Sequence, residues 1–247
     1  MSKLQLELIN IFAGYQNTTV LEDVSFSLFE KDFIGIIGPN GGGKTTLLKV
    51  MLGLIKPSKG AVKYHINRKD IGYLPQNNQL DDQFPITVHE VVHSGLSSGI
   101  RSGVFRHHSC NAKIDEVLDS VGISSLKNRA IGELSGGELQ RAMLARAIVS
   151  SPKILILDEP NTFVDNKFES ELYSLLRELN QRLTILLVSH DVGTISPYIK
   201  GIACVNRELH YHPSNEISEE QLKVYNCPIE IITHGQVPHR VIKDHQH

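Results

Sequence analysis

At 247 residues, with 40% apolar and 21% charged residues, the chain can bury a substantial core as one large domain or as a domain carrying an inserted subdomain. A formal net charge of −2 supplies no overall field for a polyanion, which argues against nucleic acid as a partner. The start MSKLQLELIN has no basic stretch leading into an apolar core, no apolar run approaches the roughly 18 residues of a membrane span, and Cys110, Cys204 and Cys227 lack CxxC spacing, so the expectation is a cytoplasmic chain with inert thiols.

Leu4, Leu6 and Leu8 alternate with polar residues, and Val24, Phe26 and Leu28 do the same, the period of half-buried antiparallel strands. From Phe33 the pattern changes to short continuous apolar runs, FIGII, ILILD and TILLVSH, as expected of strands covered on both faces in a parallel sheet. The first run leads into GPNGGGKTT, which places Gly38, four residues, Gly43, Lys44 and Thr45 between a strand and a helix. Glycine lets backbone N–H groups turn inward and phosphate oxygens approach without meeting a Cβ. The helix that follows points unpaired N–H groups and its positive dipole end at the same oxygens. Lys44 is expected to reach the β- and γ-phosphates and Thr45 to bind Mg²⁺.

Residues 80 to 134 lack parallel-strand runs and read as a mainly helical insertion, with a helix over 109–122 whose stripe is Ile114, Val117, Leu118 and Val121, and with Gly122 at its C-cap. LSGGELQRAMLARAI then offers a second donor-rich helix entry at Ser135, Gly136 and Gly137. Two such ends and one nucleotide suit either an insertion folded back over the loop or a symmetric dimer in which each chain serves its neighbour's nucleotide. ILILDEP closes an apolar strand with Asp158, suited to a magnesium shell, and Glu159, suited to orienting or deprotonating a water. Phe168, Leu172, Leu175, Leu176 and Leu179 form the stripe of a crossover helix before TILLVSH. Past residue 213 the apolar periodicity weakens, the mark of a loosely packed end.

Taken together, these segments resemble the ATPase subunit of ABC transporters across residues 4–212. GPNGGGKTT is similar to that family's phosphate loop, LSGGELQR to its signature, ILILDEP to its magnesium and water strand, and LVSHD to the segment with its switch histidine, here His190. Gln76 in IGYLPQ matches the glutamine between core and helical subdomain, and Tyr15 in FAGY matches the adenine-stacking aromatic. One segment departs: NTFVD keeps Asp165 in place of the family's aspartate but sets Phe163 where the family has a small residue near the dimer seam.

The fold this implies is α/β, a P-loop NTPase with a RecA-like parallel core, an N-terminal antiparallel β subdomain and an inserted helical subdomain. Residues 1–233 would form the ATPase domain, with the helical part at about 80–150, and residues 234–247 a histidine-containing tail. The resemblance further implies that ATP and Mg²⁺ bind Tyr15, Gly38, Pro39, Asn40, Gly41, Gly42, Gly43, Lys44, Thr45, Thr46 and Gln76 of one subunit, with Asp165 beside them. Ser135, Gly136, Gly137 and Glu138 of a second copy would close over the γ-phosphate, Glu159 would polarise the water, His190 would fix the γ-phosphate, and Thr45, Gln76 and Asp158 would face the magnesium.

The expected partners are integral-membrane permease subunits, a second copy of the chain in an ATP-sandwich dimer and, indirectly, an extracytoplasmic solute-binding protein, with the chain on the cytoplasmic face of the membrane. Gly42 and the strand segment ACVNRELHYH are similar to zinc and manganese importers. A siderophore or other small-solute importer, and a soluble single-cassette ATPase of cofactor assembly, stay open. His210 and His212, two apart, would share a strand face, and with His234, His239, His245 and His247 they raise the option of a regulatory metal site against that of a solvated tail.

Overall fold

The computed structural model describes residues 2–16, 18–76, 85–96, 104–160, 166–215, 229–234 and 237–242, without side chains at 104–109, 166–168 and beyond 215. β1 (Leu4–Tyr15) and β2 (Thr18–Phe29) pair antiparallel. Their buried side chains are Leu6 and Leu8, then Ile11 and Ala13, on one strand, and Leu21, then Val24, Phe26 and Leu28, on the other. That change of phase, invisible as simple alternation, comes from an irregular register around Asn10 and Asp23, which have φ of 47° and 50° and are joined by an Asn10 Nδ2–Asp23 Oδ1 hydrogen bond of 2.8 Å.

β3 (Phe33–Ile37) enters the core and α1 (Lys44–Met51) follows it. β4 (Lys59–Tyr64), which the sequence reading does not single out, pairs antiparallel with the other edge of β1. β5 (Ile71–Leu74) returns to the core. The insertion holds α2 (Val88–Ser94) and α3 (Val104–Ser120), the latter starting five residues before the expected helix and ended by Gly122 at φ 75°. α4 (Gly136–Ile148) leads back to β6 (Ile154–Asp158), α5 (Asn166–Leu179) and β7 (Thr184–Val188), then α6 (Val192–Ile195).

The chain ends of the core differ from expectation in two places. ACVNRELHYH is not one strand segment: β8 (Gly201–Asn206) reverses at Arg207, φ 63°, into β9 (Glu208–His212). Beyond residue 213, β10 (Ile229–His234) and β11 (Val237–Ile242) pair as an antiparallel ribbon where a loosely packed end was expected. Interstrand hydrogen bonds, which need no continuous apolar run, account for the regular element there.

The six-stranded core sheet has the order β5-β6-β7-β3-β8-β9, parallel except for β9. β3, β6 and β7 are buried at all five positions, which is why they read as unbroken apolar runs. Alternate residues serve different cores: Ile34 and Ile36 face α1 and the antiparallel sheet, whereas Phe33 and Ile37 face the side packed by the helical insertion and α5. The C-terminal ends of β3, β5, β6 and β7 consequently open onto one rim, the place where such sheets hold ligands.

Candidate functional site

The loop between β3 and α1 is shaped by its glycines. Gly38 (φ 153°), Gly41 (φ 76°) and Gly43 (φ 103°) take backbone angles that other residues rarely adopt. A Cβ on Gly38 would lie 2.0 Å from the Val205 carbonyl oxygen, whereas one on Gly41 would meet nothing within 4 Å, so the loop is packed on the β8 side and open above. Gly42 also touches the core, 2.8 Å from Val205 O to a built Cβ, and its carbonyl accepts from Arg207 N at 3.0 Å, so the β8–β9 reversal supports the loop from beneath. Lys44 is 7% exposed and its Nζ donates to the carbonyls of Gly38 (2.8 Å) and Pro39 (3.1 Å). Gly43 is the N-cap of α1 and supplies no side-chain bond, so the first N–H groups of that helix face the loop. Asn40 and Thr45 are exposed and Thr46 is buried.

Three adjacent strands bring polar groups to the rim beside this loop. Glu159, just past β6, receives Gln76 Nε2 from the end of β5 at 2.6 Å and pairs with His190 Nε2 from the end of β7 at 2.5 Å. Glu159 holds φ 49°, an uncommon conformation that costs on the order of 1–2 kcal/mol and that the surrounding strands hold in place. Asp158 is 2% exposed and shares a face of the sheet with Tyr73, which pairs with Ile156 two residues before it.

The two neighbouring carboxyls are driven apart in acidity. Burial and the charge of Glu159 raise the Asp158 pKa above the usual range, opposed by Lys44, Tyr73 and Lys49. Burial acts on Glu159 in the same direction but is outweighed by the hydrogen bond and charge of His190, with Lys44 and Gln76, so its pKa falls below the usual value. Glu159 is thereby the more acidic member of the pair. Burial, then Asp158, pushes the Tyr73 phenol up to about 12.

Tyr15, 46% exposed at the end of β1, presents its ring at the surface, with Lys49 Nζ 5.6 Å from the ring centroid. Ser135 and Glu138 bond each other: Ser135 Oγ accepts from Glu138 N at 3.4 Å, and Glu138 Oε2 accepts from Ser135 N at 2.8 Å and from Ser135 Oγ at 2.9 Å. Gly136 and Gly137 form the first residues of the helix so capped. Asp165, Phe163, Cys227, His245 and His247 lie outside the described residues, as do the side chains of His234 and His239. His210 and His212 do sit two apart on β9, the second buried with its pKa lowered by burial and by His210, but among the described residues no group of three or more His, Cys, Asp or Glu is placed to hold a metal ion.

Residue spacing does not point to Tyr73 or Arg207. Tyr73 lies in β5, three residues before Gln76, and only the pairing of β5 with β6 brings it to the sheet face of Asp158. Arg207 stands within a segment that reads as strand and is the turn on which the loop rests.

The ABC transporter family matches residues 21–162. A "Probable metal transport system ATP-binding protein" of Thermotoga maritima is 41% identical over 93% of this chain and 93% of its own length. A "Zinc import ATP-binding protein" of Pasteurella multocida is 39% identical over 83% of this chain and 74% of its own. One chain of the dimeric structure of an ATP-binding cassette in a post-hydrolysis state, bound to ADP and phosphate, superposes with a TM-score of 0.72 at 26% identity, covering 86% of this chain and 100% of that one. With the phosphate loop, the carboxylate pair and its flanking residues assembled on one rim of a P-loop sheet, the chain belongs to the ATP-binding, ATP-hydrolysing subunits of the ABC transporter family.

Proposed function

We propose that this chain is the motor of an importer for a divalent transition metal, zinc or manganese, acting on the cytoplasmic face of a membrane. Among the described residues no helix is long and apolar enough to cross one, so the path for the solute would belong to integral-membrane permease subunits that the chain drives. The relatives named for metal transport and zinc import support the substrate class. The observation that carries the motor reading is Glu159, ionised and gripped from both sides by Gln76 and His190 at the rim beside the phosphate loop.

In this reading Gly38 to Thr46 wrap the phosphates of ATP with backbone N–H groups, and Lys44 adds its positive charge. Tyr15 stacks on the adenine. Thr45, Asp158 and Gln76 offer only oxygen donors, the set a small hard dication prefers, and Gly41 leaves room above the loop, so the residues fit Mg²⁺ with a nucleotide. When bound, Mg²⁺ neutralises phosphate charge that develops as the terminal bond breaks. Arrival of ATP rearranges the rim, because His190 has to exchange its bond to Glu159 for one to the γ-phosphate. Glu159 takes a proton from the attacking water, and Gln76 holds its carboxylate in line for that transfer. Ser135, Gly136, Gly137 and Glu138 of a second copy complete the site across an ATP-filled dimer, with Asp165 near the seam, and an extracytoplasmic solute-binding protein delivers the metal to the far side.

The test is transport. The chain is assembled with its permease in proteoliposomes, and ATP-driven uptake of Zn²⁺, Mn²⁺ and a ferric siderophore is compared for the wild type and Glu159→Gln. Uptake of Zn²⁺ or Mn²⁺ by the wild type, with turnover reduced about 10³-fold in the variant, is the expected result. Siderophore uptake alone overturns the substrate class, and near-normal turnover of Glu159→Gln overturns the role of Glu159.

A further inference from the structure

Arg207, at the reversal between β8 and β9, holds φ 63° without being a glycine, an uncommon conformation that persists only where its surroundings fix it. Its side chain is exposed, so burial in a core is not what fixes it. Both of its backbone groups are engaged. The Arg207 N–H donates to the Gly42 carbonyl at 3.0 Å, and the Arg207 carbonyl accepts from the Glu22 N–H at 2.8 Å. Glu22 stands where β2 bulges: Leu21 pairs with Ala13 and Val24 with Ile11, so Glu22 and Asp23 together oppose Phe12. The Glu22 N–H is thereby spent outside the β1–β2 ladder, on the turn, and the Glu22 carboxylate also accepts from Arg207 Nη2.

The consequence for the loop follows from the planarity of one peptide. The Gly42 carbonyl and the Gly43 N–H belong to the same trans peptide unit and point in opposite directions. With the carbonyl held down on Arg207, the Gly43 N–H is aimed up, to the side where a Cβ on Gly41 would meet nothing within 4 Å. The loop cannot settle further toward either support, since a Cβ on Gly38 would lie 2.0 Å from Val205 O and one on Gly43 would lie 2.7 Å from Leu21 Cδ2. We propose that Arg207 is a positioning residue for nucleotide binding: its left-handed backbone, tied to β2 through Glu22, holds the Gly42 carbonyl and so directs the Gly43 N–H at a phosphate. The inference rests on the reading of residues 38–46 as the phosphate loop.

The test measures ATP affinity of the full chain by calorimetry, with the melting temperature of each variant alongside. Valine, branched at Cβ, is strained in the left-handed region and glycine is not. Arg207→Val is expected to displace the turn and weaken ATP binding about five-fold, the equivalent of one net hydrogen bond. Arg207→Gly keeps the backbone angle and the N–H and is expected to retain wild-type affinity although the whole side chain is gone. Ser151→Val puts the same strain at another exposed residue, φ 55° before β6 and at the end of the sheet away from the rim, and should lower the melting temperature without changing ATP affinity. Gly43→Ala, strained at φ 103°, distorts the loop itself. If Gly43→Ala weakens binding and Arg207→Val does not, the positioning role is overturned; if Gly43→Ala binds ATP as wild type does, the reading of the loop is overturned. Equal losses in Arg207→Val and Arg207→Gly also overturn the proposal, because the side chain and not the turn would be the cause. So does an equal loss in Ser151→Val, because general destabilisation would then suffice. Should Arg207→Val not fold, Arg207→Ala, with its smaller Cβ substituent, is measured in its place with the same expected order.

Discussion

Two helices in this molecule begin on glycine-rich segments, and they finish their N-termini in opposite ways. α1 starts at Gly43, which has φ 103°, no side-chain cap and no acidic residue in the first turn. α4 starts at Ser135, which forms a complete capping box with Glu138. The first helix keeps its N–H groups for an outside anion; the second satisfies them from its own chain. α2 is built like the second, with Thr87 and Glu90 in the same reciprocal arrangement. Small residues before a helix therefore do not fix how its N-terminus is finished: an open cap, a left-handed backbone and a buried lysine occur together at α1, whereas α4 is capped from within its own chain.

The two helix starts differ most at Lys44. Its ammonium group bridges the Gly38 and Pro39 carbonyls within the loop, so Lys44→Ala should weaken ATP binding about 100-fold by calorimetry, as loss of charge-assisted hydrogen bonds implies. An unchanged affinity would mean that the open N-terminus alone supplies the binding.

A smaller effect is expected at the closed helix. Ser135→Ala should cost about 1 kcal/mol of stability in denaturant unfolding, the usual worth of an N-cap, while ATP affinity of the single chain stays at the wild-type value. A fall in single-chain affinity would place Ser135 at its own chain's nucleotide and remove the contrast between the two helices.

The smallest effect is one of pH. Hydrogen bonds from the Ser135 backbone and hydroxyl lower the Glu138 pKa. A carboxylate whose folded pKa is depressed stabilises the fold above its unfolded pKa, about 4.3, and loses that contribution as pH falls through the lower folded value. The melting temperatures of wild type and Glu138→Gln should therefore differ near neutral pH and draw together as pH falls from about 4.3 through the lower folded value. α1 has no acid in its first turn and should add nothing to that convergence. A gap between the two proteins that persists at pH 3 would show that the box acts through packing and not through the carboxylate charge.

Elements whose information is local can be read along the chain. Continuous apolar runs at Phe33–Ile37, Ile154–Asp158 and Thr184–Val188 announce strands buried on both faces, because a strand with two covers has no polar side to show. The phosphate loop is legible for the same kind of reason: its chemistry needs particular residues at adjacent backbone positions, so Gly38, Gly43, Lys44 and Thr45 appear in fixed order within eight residues. Tertiary structure decided the rest. Only the sheet order sets β5, β6 and β7 side by side, so only there do Gln76, Glu159 and His190 meet. Tyr73 reaches the sheet face of Asp158 across 85 positions of chain through the register of two parallel strands, and Arg207 supports Gly42 across 165. The shift of apolar phase at Asn10 and Asp23, and the reversal at Arg207, each hang on one residue turned into the left-handed region. Side-chain pattern follows the backbone only while the backbone repeats, and at those residues partners distant in the chain set its course.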